Sequence, residues 1–150
     1  MSALVSGVAR VESGIDLATA AWLKRPPRLS RMDRPCGLAM YLLERLLLDA
    51  GISPGGPDWI PERVGVTVGT SLGCHQVNEE YFRGMIEGGA AGASPRLFSY
   101  TLPSSPLGEV SIAACARGPA QTFVSGAHAG LEAFDAARRL CEEGLAALGK

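Results

Sequence analysis

Residues 118–131, Gly-Pro-Ala-Gln-Thr-Phe-Val-Ser-Gly-Ala-His-Ala-Gly-Leu, leave the backbone few options. Arg117-Gly118-Pro119 is a turn signal, because glycine accepts left-handed backbone and proline fixes φ and removes a donor. Gln121 to Val124 is a short apolar run that predicts a strand. Ser125-Gly126-Ala127 makes a corner of small side chains, and the amphipathic stretch from His128 to Leu148 predicts a helix. Leu131, Phe134, Ala137, Leu140 and Cys141 fall on one face of that helix and are the expected core face. Strand, tight corner, helix is the layout with which α/β acyl-transfer enzymes push one side chain into a pocket at a helix N-terminus. Here Ala127 stands at the tip, and a methyl group is no nucleophile.

The rest of the chain supplies the surroundings of such a corner. Ala3 to Val11 reads as a strand interrupted by Gly7, and Ile15 to Leu23 fits a short helix or a loop equally. Lys24 to Arg34 is basic and broken by prolines, and reads as a solvated connector. From Asp33 as N-cap, with Pro35 in the first turn, a helix is expected to run to Ala50 and stop at Gly51. Ala39, Leu42, Leu43, Leu46, Leu47 and Ala50 are its predicted core face, widened by Tyr41 and Leu48. Ile52 to Glu62 is a Pro/Gly-rich loop, and the β-branched Arg63 to Thr70 predicts a buried parallel strand ending at Gly69. A helix over Gln76 to Glu87 follows, with Val77, Tyr81, Met85 and Phe82 inward. Gly88 to Gly92 is a loop, Ser94 to Phe98 a single turn, and Pro103 to Cys115 a further short helix. Strands alternating with helices give an α/β domain with a mainly parallel sheet, and 150 residues are one domain with a real core.

Composition excludes several classes of function. A 47% hydrophobic and 19% charged chain is globular, and a net charge of −1 gives no electrostatic case for nucleic acid or an anionic membrane as partner. Cys36, Cys74, Cys115 and Cys141 are widely spaced, without a C-x-x-C or a matching histidine pair, so neither a metal site nor a disulfide framework is expected. No cofactor is expected either. The N-terminus lacks the pattern of a signal peptide and no apolar run is long enough for a membrane span, which makes the expected location the cytoplasm.

Taken together, several short segments resemble the N-terminal half of the β-ketoacyl synthases, the condensing enzymes of fatty-acid and polyketide synthesis. They are Arg28-Leu29-Ser30-Arg31-Met32-Asp33-Arg34, Gly65 to Thr70, Ser94 to Phe98, Thr101-Leu102-Pro103, Gly108 to Ile112, Gly118-Pro119 and Gly130-Leu131-Glu132-Ala133. They are spread in order over nearly the whole chain, which makes the resemblance more specific than any one of them. It implies a thiolase-like fold, here an incomplete three-layer α/β/α arrangement over residues 1–150, with the C-terminal half absent. It also implies a cysteine at the corner and two later basic residues from the second half. The cysteine position falls on Ala127, and neither His75 nor His128 matches the later residues. In the family the strand before the corner pairs across a two-fold with a second subunit, so Gln121, Thr122, Phe123 and Val124 are the candidate dimer edge.

The functional expectation is therefore a non-catalytic ketosynthase-like subunit. Its partners would be a ketosynthase-like subunit, in a homo- or heterodimer, and an acyl carrier protein. Ser125, Gly126, Ala127, His128 and Thr70 are the candidate pocket residues. Two other readings stay open: an acyl-thioester hydrolase or decarboxylase using His128 or Ser125, and a split fragment of an acyltransferase completed by a second chain. Against the first, Phe123 stands where the opening glycine of a G-x-S-x-G elbow belongs. Cys74 beside His75 reads as a packed thiol, and Cys115 and Cys141 as helical core positions. Gly69 to Gly73 lacks the lysine of a phosphate-binding P-loop and reads as a strand-to-helix turn.

Overall fold

The computed structural model describes residues 32–146. The predicted strand Ala3–Val11, the segment Ile15–Leu23, most of the basic connector and the last residues of the predicted C-terminal helix lie outside them. Helix α1 spans Arg34–Ala50 and begins as expected: the Asp33 carboxylate accepts the Cys36 N–H at 3.0 Å, and Pro35 sits in the first turn. It stops where Gly51 turns left-handed at φ 65°, returning its N–H to the last turn. Asp33→Ala is expected to lower stability by about 1 kcal/mol, the usual worth of an N-cap; chemical denaturation measures it.

The side of α1 that packs differs from the predicted face. Cys36, Met40, Glu44 and Leu47 are buried, whereas Leu46 and Leu48 are exposed. The helix is apolar over more than half its circumference, so periodicity alone does not select which stripe meets the core. Leu47 joins Trp59, Val64 and Ala114 in a buried cluster flanked by Leu43, Ile52 and Ala116.

Strand β1 is Val66–Thr70 and β2 is Ala120–Val124; they pair in parallel with Val66 opposite Ala120 and Thr70 opposite Val124. The entries to both strands are stitched together. Val66 N–H donates to Pro119 O at 2.9 Å and Gly118 N–H to Val64 O at 3.0 Å. A Cβ on Gly118 would lie 2.7 Å from that Val64 oxygen, so the turn needs glycine for close approach. Between the strands run α2 (His75–Gly88), a 3-10 turn at Gly89–Gly92, the single turn α3 (Pro95–Phe98) and α4 (Ser105–Ala113). After β2, a 3-10 turn at Gly126–His128 leads into α5, Ala129–Glu142. The expected single helix from His128 thus opens with a tighter turn.

The sheet carries helices on both faces. At Gly69 the strand passes so close to α5 that a Cβ there would collide with the Ala129 carbonyl. Strand alternation turns Val68 and Thr70 the other way, toward Leu38 and Leu42 of α1 and Pro106 of α4, with which they line an open cavity of about 180 Å³. This is part of a three-layer α/β/α arrangement.

Three further expectations fail on packing. On α2 only Val77 is buried, while Phe82 and Met85 point outward. Tyr81 is half-buried and makes ring contacts with Phe82 and Phe98, with centroids 5.7 and 5.8 Å apart. On α5 the inward residues are Ala129, Ala133 and Ala136, and Leu131 and Phe134 are exposed. The tight approach at Gly69 explains this, because a helix lying that close to a strand admits only small side chains between them. Cys115, expected at a helical core position, is exposed and left-handed at φ 51°, where it ends α4 with Ala116 N–H returning to Ser111 O at 2.9 Å.

Candidate functional site

Parallel pairing brings the C-terminal ends of β1 and β2 side by side, so the loops that leave them are neighbours. The first loop starts at Thr70, whose hydroxyl accepts the Gly73 N–H at 3.0 Å and folds the turn into α2. The second is the corner, Ser125 to His128. The structure thus places all five candidate pocket residues at one end of the sheet, as parallel α/β sheets place their ligand sites. Thr70 lines the cavity against α1 and α4, whereas Ser125, Gly126, Ala127 and His128 are absent from its lining.

Ala127 lies in the middle of the 3-10 turn between β2 and α5, exposed at the tip of the bend. Gly126 before it is left-handed at φ 61°, a conformation that costs other residues about 1–2 kcal/mol. The corner is therefore built as an elbow, with the Ala127 methyl exposed at its tip.

The polar groups around the tip bond to one another. Ser125 Oγ donates to Glu132 Oε2 at 2.5 Å, and the His128 N–H reaches Ser125 O at 3.4 Å. The serine's single proton points to a carboxylate rather than to the imidazole of His128, which is exposed. Sequence reasoning missed Glu132 as a corner residue. Its signal was there: an acidic side chain in the first turn of a helix, seven residues after a small hydroxyl. That carboxylate also stands in the first turn of α5, at the positive end of the helix dipole, where a negative charge is favourable.

The thiols are inert where buried. Cys74 donates from Sγ to Thr101 O at 2.5 Å, as the packed-thiol reading expects. Cys36 is fully buried beside Asp33; loss of solvent and the neighbouring carboxylate push its thiol far above the ordinary range, so it stays protonated at neutral pH. Alkylation of the native protein at neutral pH is expected to label the exposed Cys115 first and to reach Cys36 and Cys74 only on unfolding; peptide mass mapping reads the order. Among the described residues no group of histidine, cysteine and carboxylate side chains has the makings of a metal site. No helix among them is long and apolar enough to cross a membrane.

Comparison with known proteins fits this geometry. Residues 6–148 match the family model of the β-ketoacyl synthase N-terminal domain. The chain belongs to the β-ketoacyl synthase family. It is 33% identical over 144 residues to the tetracenomycin polyketide synthase ketoacyl synthase alpha subunit of Streptomyces glaucescens, an alignment covering 91% of this chain and 33% of that protein. The β-ketoacyl synthase relative is thus matched over about a third of its length. Among solved structures, the ishigamide ketosynthase/chain length factor superposes with a TM-score of 0.69 at 27% identity, covering 89% of this chain and 36% of that one. A type II PKS ketosynthase, bound to the hexaketide and in complex with its acyl-carrier protein, superposes at 0.77 with 22% identity, over 95% of this chain and 40% of that one. The fold is thiolase-like, as the resemblance implied.

Proposed function

We propose that the chain is a ketosynthase-like subunit of a polyketide-type synthase that contributes recognition or assembly and no condensation chemistry of its own. The observation that carries this reading is Ala127 at the tip of an otherwise complete strand–turn–helix elbow. Condensation by this family needs a thiolate at that place to take the acyl chain, and a methyl cannot. The surroundings do not supply a substitute: the Ser125 hydroxyl is turned to Glu132, and the buried thiols Cys36 and Cys74 lie in the α1 and α2 packing. The relatives supply the polyketide context, since the similar proteins are polyketide synthase subunits, one of them a ketosynthase/chain length factor.

A partner ketosynthase would meet the chain along β2. Among the described residues β2 pairs on one side only, with β1, and Val124 at its end is half-exposed at 52%. A strand edge with free N–H and C=O groups is a ready template for another strand. The test is co-purification with a catalytic ketosynthase from the same source, followed by product analysis with and without this chain. A complex that changes product length is expected; no complex and unchanged products would refute the reading.

A further inference from the structure

The face of the sheet turned away from α5 is incompletely filled. Val68 of β1, Leu38 and Leu42 of α1, and Pro103 and Pro106 at the entry to α4 surround the open cavity of about 180 Å³. Its walls are largely apolar, and three polar side chains interrupt them. Two of these are engaged: Thr70 Oγ1 accepts the Gly73 N–H at 3.0 Å, and Cys74 Sγ donates to Thr101 O at 2.5 Å. The third is Asp33. Its Oδ1 caps α1 by accepting the Cys36 N–H at 3.0 Å, whereas its Oδ2 is buried and has no hydrogen-bond partner among the described residues. A buried acceptor left without a donor is unfavourable, and most such groups in folded proteins are satisfied.

We propose that this cavity binds a small phenol, its ring between the aliphatic walls and its hydroxyl donating to Asp33 Oδ2. The size fits, since an apolar cavity of about 150 Å³ admits benzene. The polar inventory fits as well: one acceptor is left over, so the ligand carries one donor on an apolar body. An ammonium would also pair with a carboxylate, but stripping its water between apolar walls is costly. A phenol is a stronger donor than an aliphatic alcohol, and a hydroxyl given to a carboxylate makes one of the stronger hydrogen bonds in proteins. The terminal torsion of an aspartate is broad, so a modest turn brings Oδ2 toward the cavity while Oδ1 stays near the Cys36 N–H. Because the cavity is open on one side, the dissociation constant is expected to be on the order of 1 mM. None of the corner residues Ser125 to His128 lines the cavity, and the inference does not rest on the reading of Ala127.

Titration of the purified full chain with p-cresol, followed by backbone amide NMR, tests it. Saturable shifts are expected in the first turns of α1, at Thr70 to Cys74 and at the start of α4. Toluene, the same body without the hydroxyl, should bind roughly 10-fold more weakly, the share of one hydrogen bond to a carboxylate. Asp33→Asn keeps an oxygen for the α1 cap and replaces the second acceptor by an amide donor. It should erase the preference for p-cresol over toluene. Ala39→Leu extends a longer side chain from the cavity wall and should weaken both ligands, with circular dichroism checking that the fold stands. No saturable shift, shifts confined to other surfaces, equal affinity for p-cresol and toluene, or an Asp33→Asn variant that keeps the preference would each overturn the inference. So would undiminished binding by a folded Ala39→Leu variant. Whether a ketosynthase complex forms bears on the proposed function alone.

Discussion

Gly69→Ala is expected to cost about 3 kcal/mol or more and to loosen the corner at the same time. The added methyl would collide with the backbone carbonyl of Ala129 and the start of α5, and backbone cannot rotate away as a side chain can. Relief requires α5 to lift from β1, which uncovers Ala129, Ala133 and Ala136 and shifts the Gly126–His128 turn that leads into the helix. Urea denaturation gives the loss of stability. Hydrogen exchange should show reduced protection at the start of α5 and across β1, and wild-type stability in this variant would mean that the close approach does not exist in solution.

Trp59→Ala should destabilise the chain by roughly 3–5 kcal/mol. Trp59 is 8% exposed and packs with Leu47, Val64 and Ala114, the cluster that joins α1 to the entry of β1. Removing the indole leaves a large hole between elements that are held in place by the backbone bonds at Pro61, Val64 and Pro119. The indole N–H is buried with no acceptor among the described residues, an arrangement that costs about 1–3 kcal/mol in a folded protein. Trp59→Phe removes that orphan donor along with some packing, and its stability should fall within about 1 kcal/mol of the wild type. Thermal and chemical denaturation of the two variants separates the packing effect from the polar one.

Both positions show what could be read from residues alone. The boundaries were legible because caps are local: Asp33 and Pro35 start α1, Gly51 ends it, and Ser94 caps the turn at Pro95. The β1 strand and the elbow were legible for the same reason, since β-branched residues and a Ser-Gly-Ala corner speak for themselves. The inward faces were not. Periodicity counts apolar residues without asking how close two elements come, and α5 lies on the strand at alanine distance, which turns Leu131 and Phe134 outward. Trp59 was hidden inside a Pro/Gly-rich loop, where a single aromatic carries no period. The candidate site was half legible: Thr70 and the corner do share one end of the sheet, but Glu132 was found only through its bond to Ser125. Cys115 was misread because cysteine in left-handed backbone has no sequence signal; glycine is the residue that usually marks a helix end.

Covalent capture is the step on which the account turns. The purified chain, incubated alone with an acyl thioester and a malonyl thioester, is weighed intact by mass spectrometry while the solution is assayed for condensed product. An unmodified mass and no new carbon–carbon bond are expected, because the tip of the elbow is Ala127. An acyl adduct on any residue together with condensed product would contradict it.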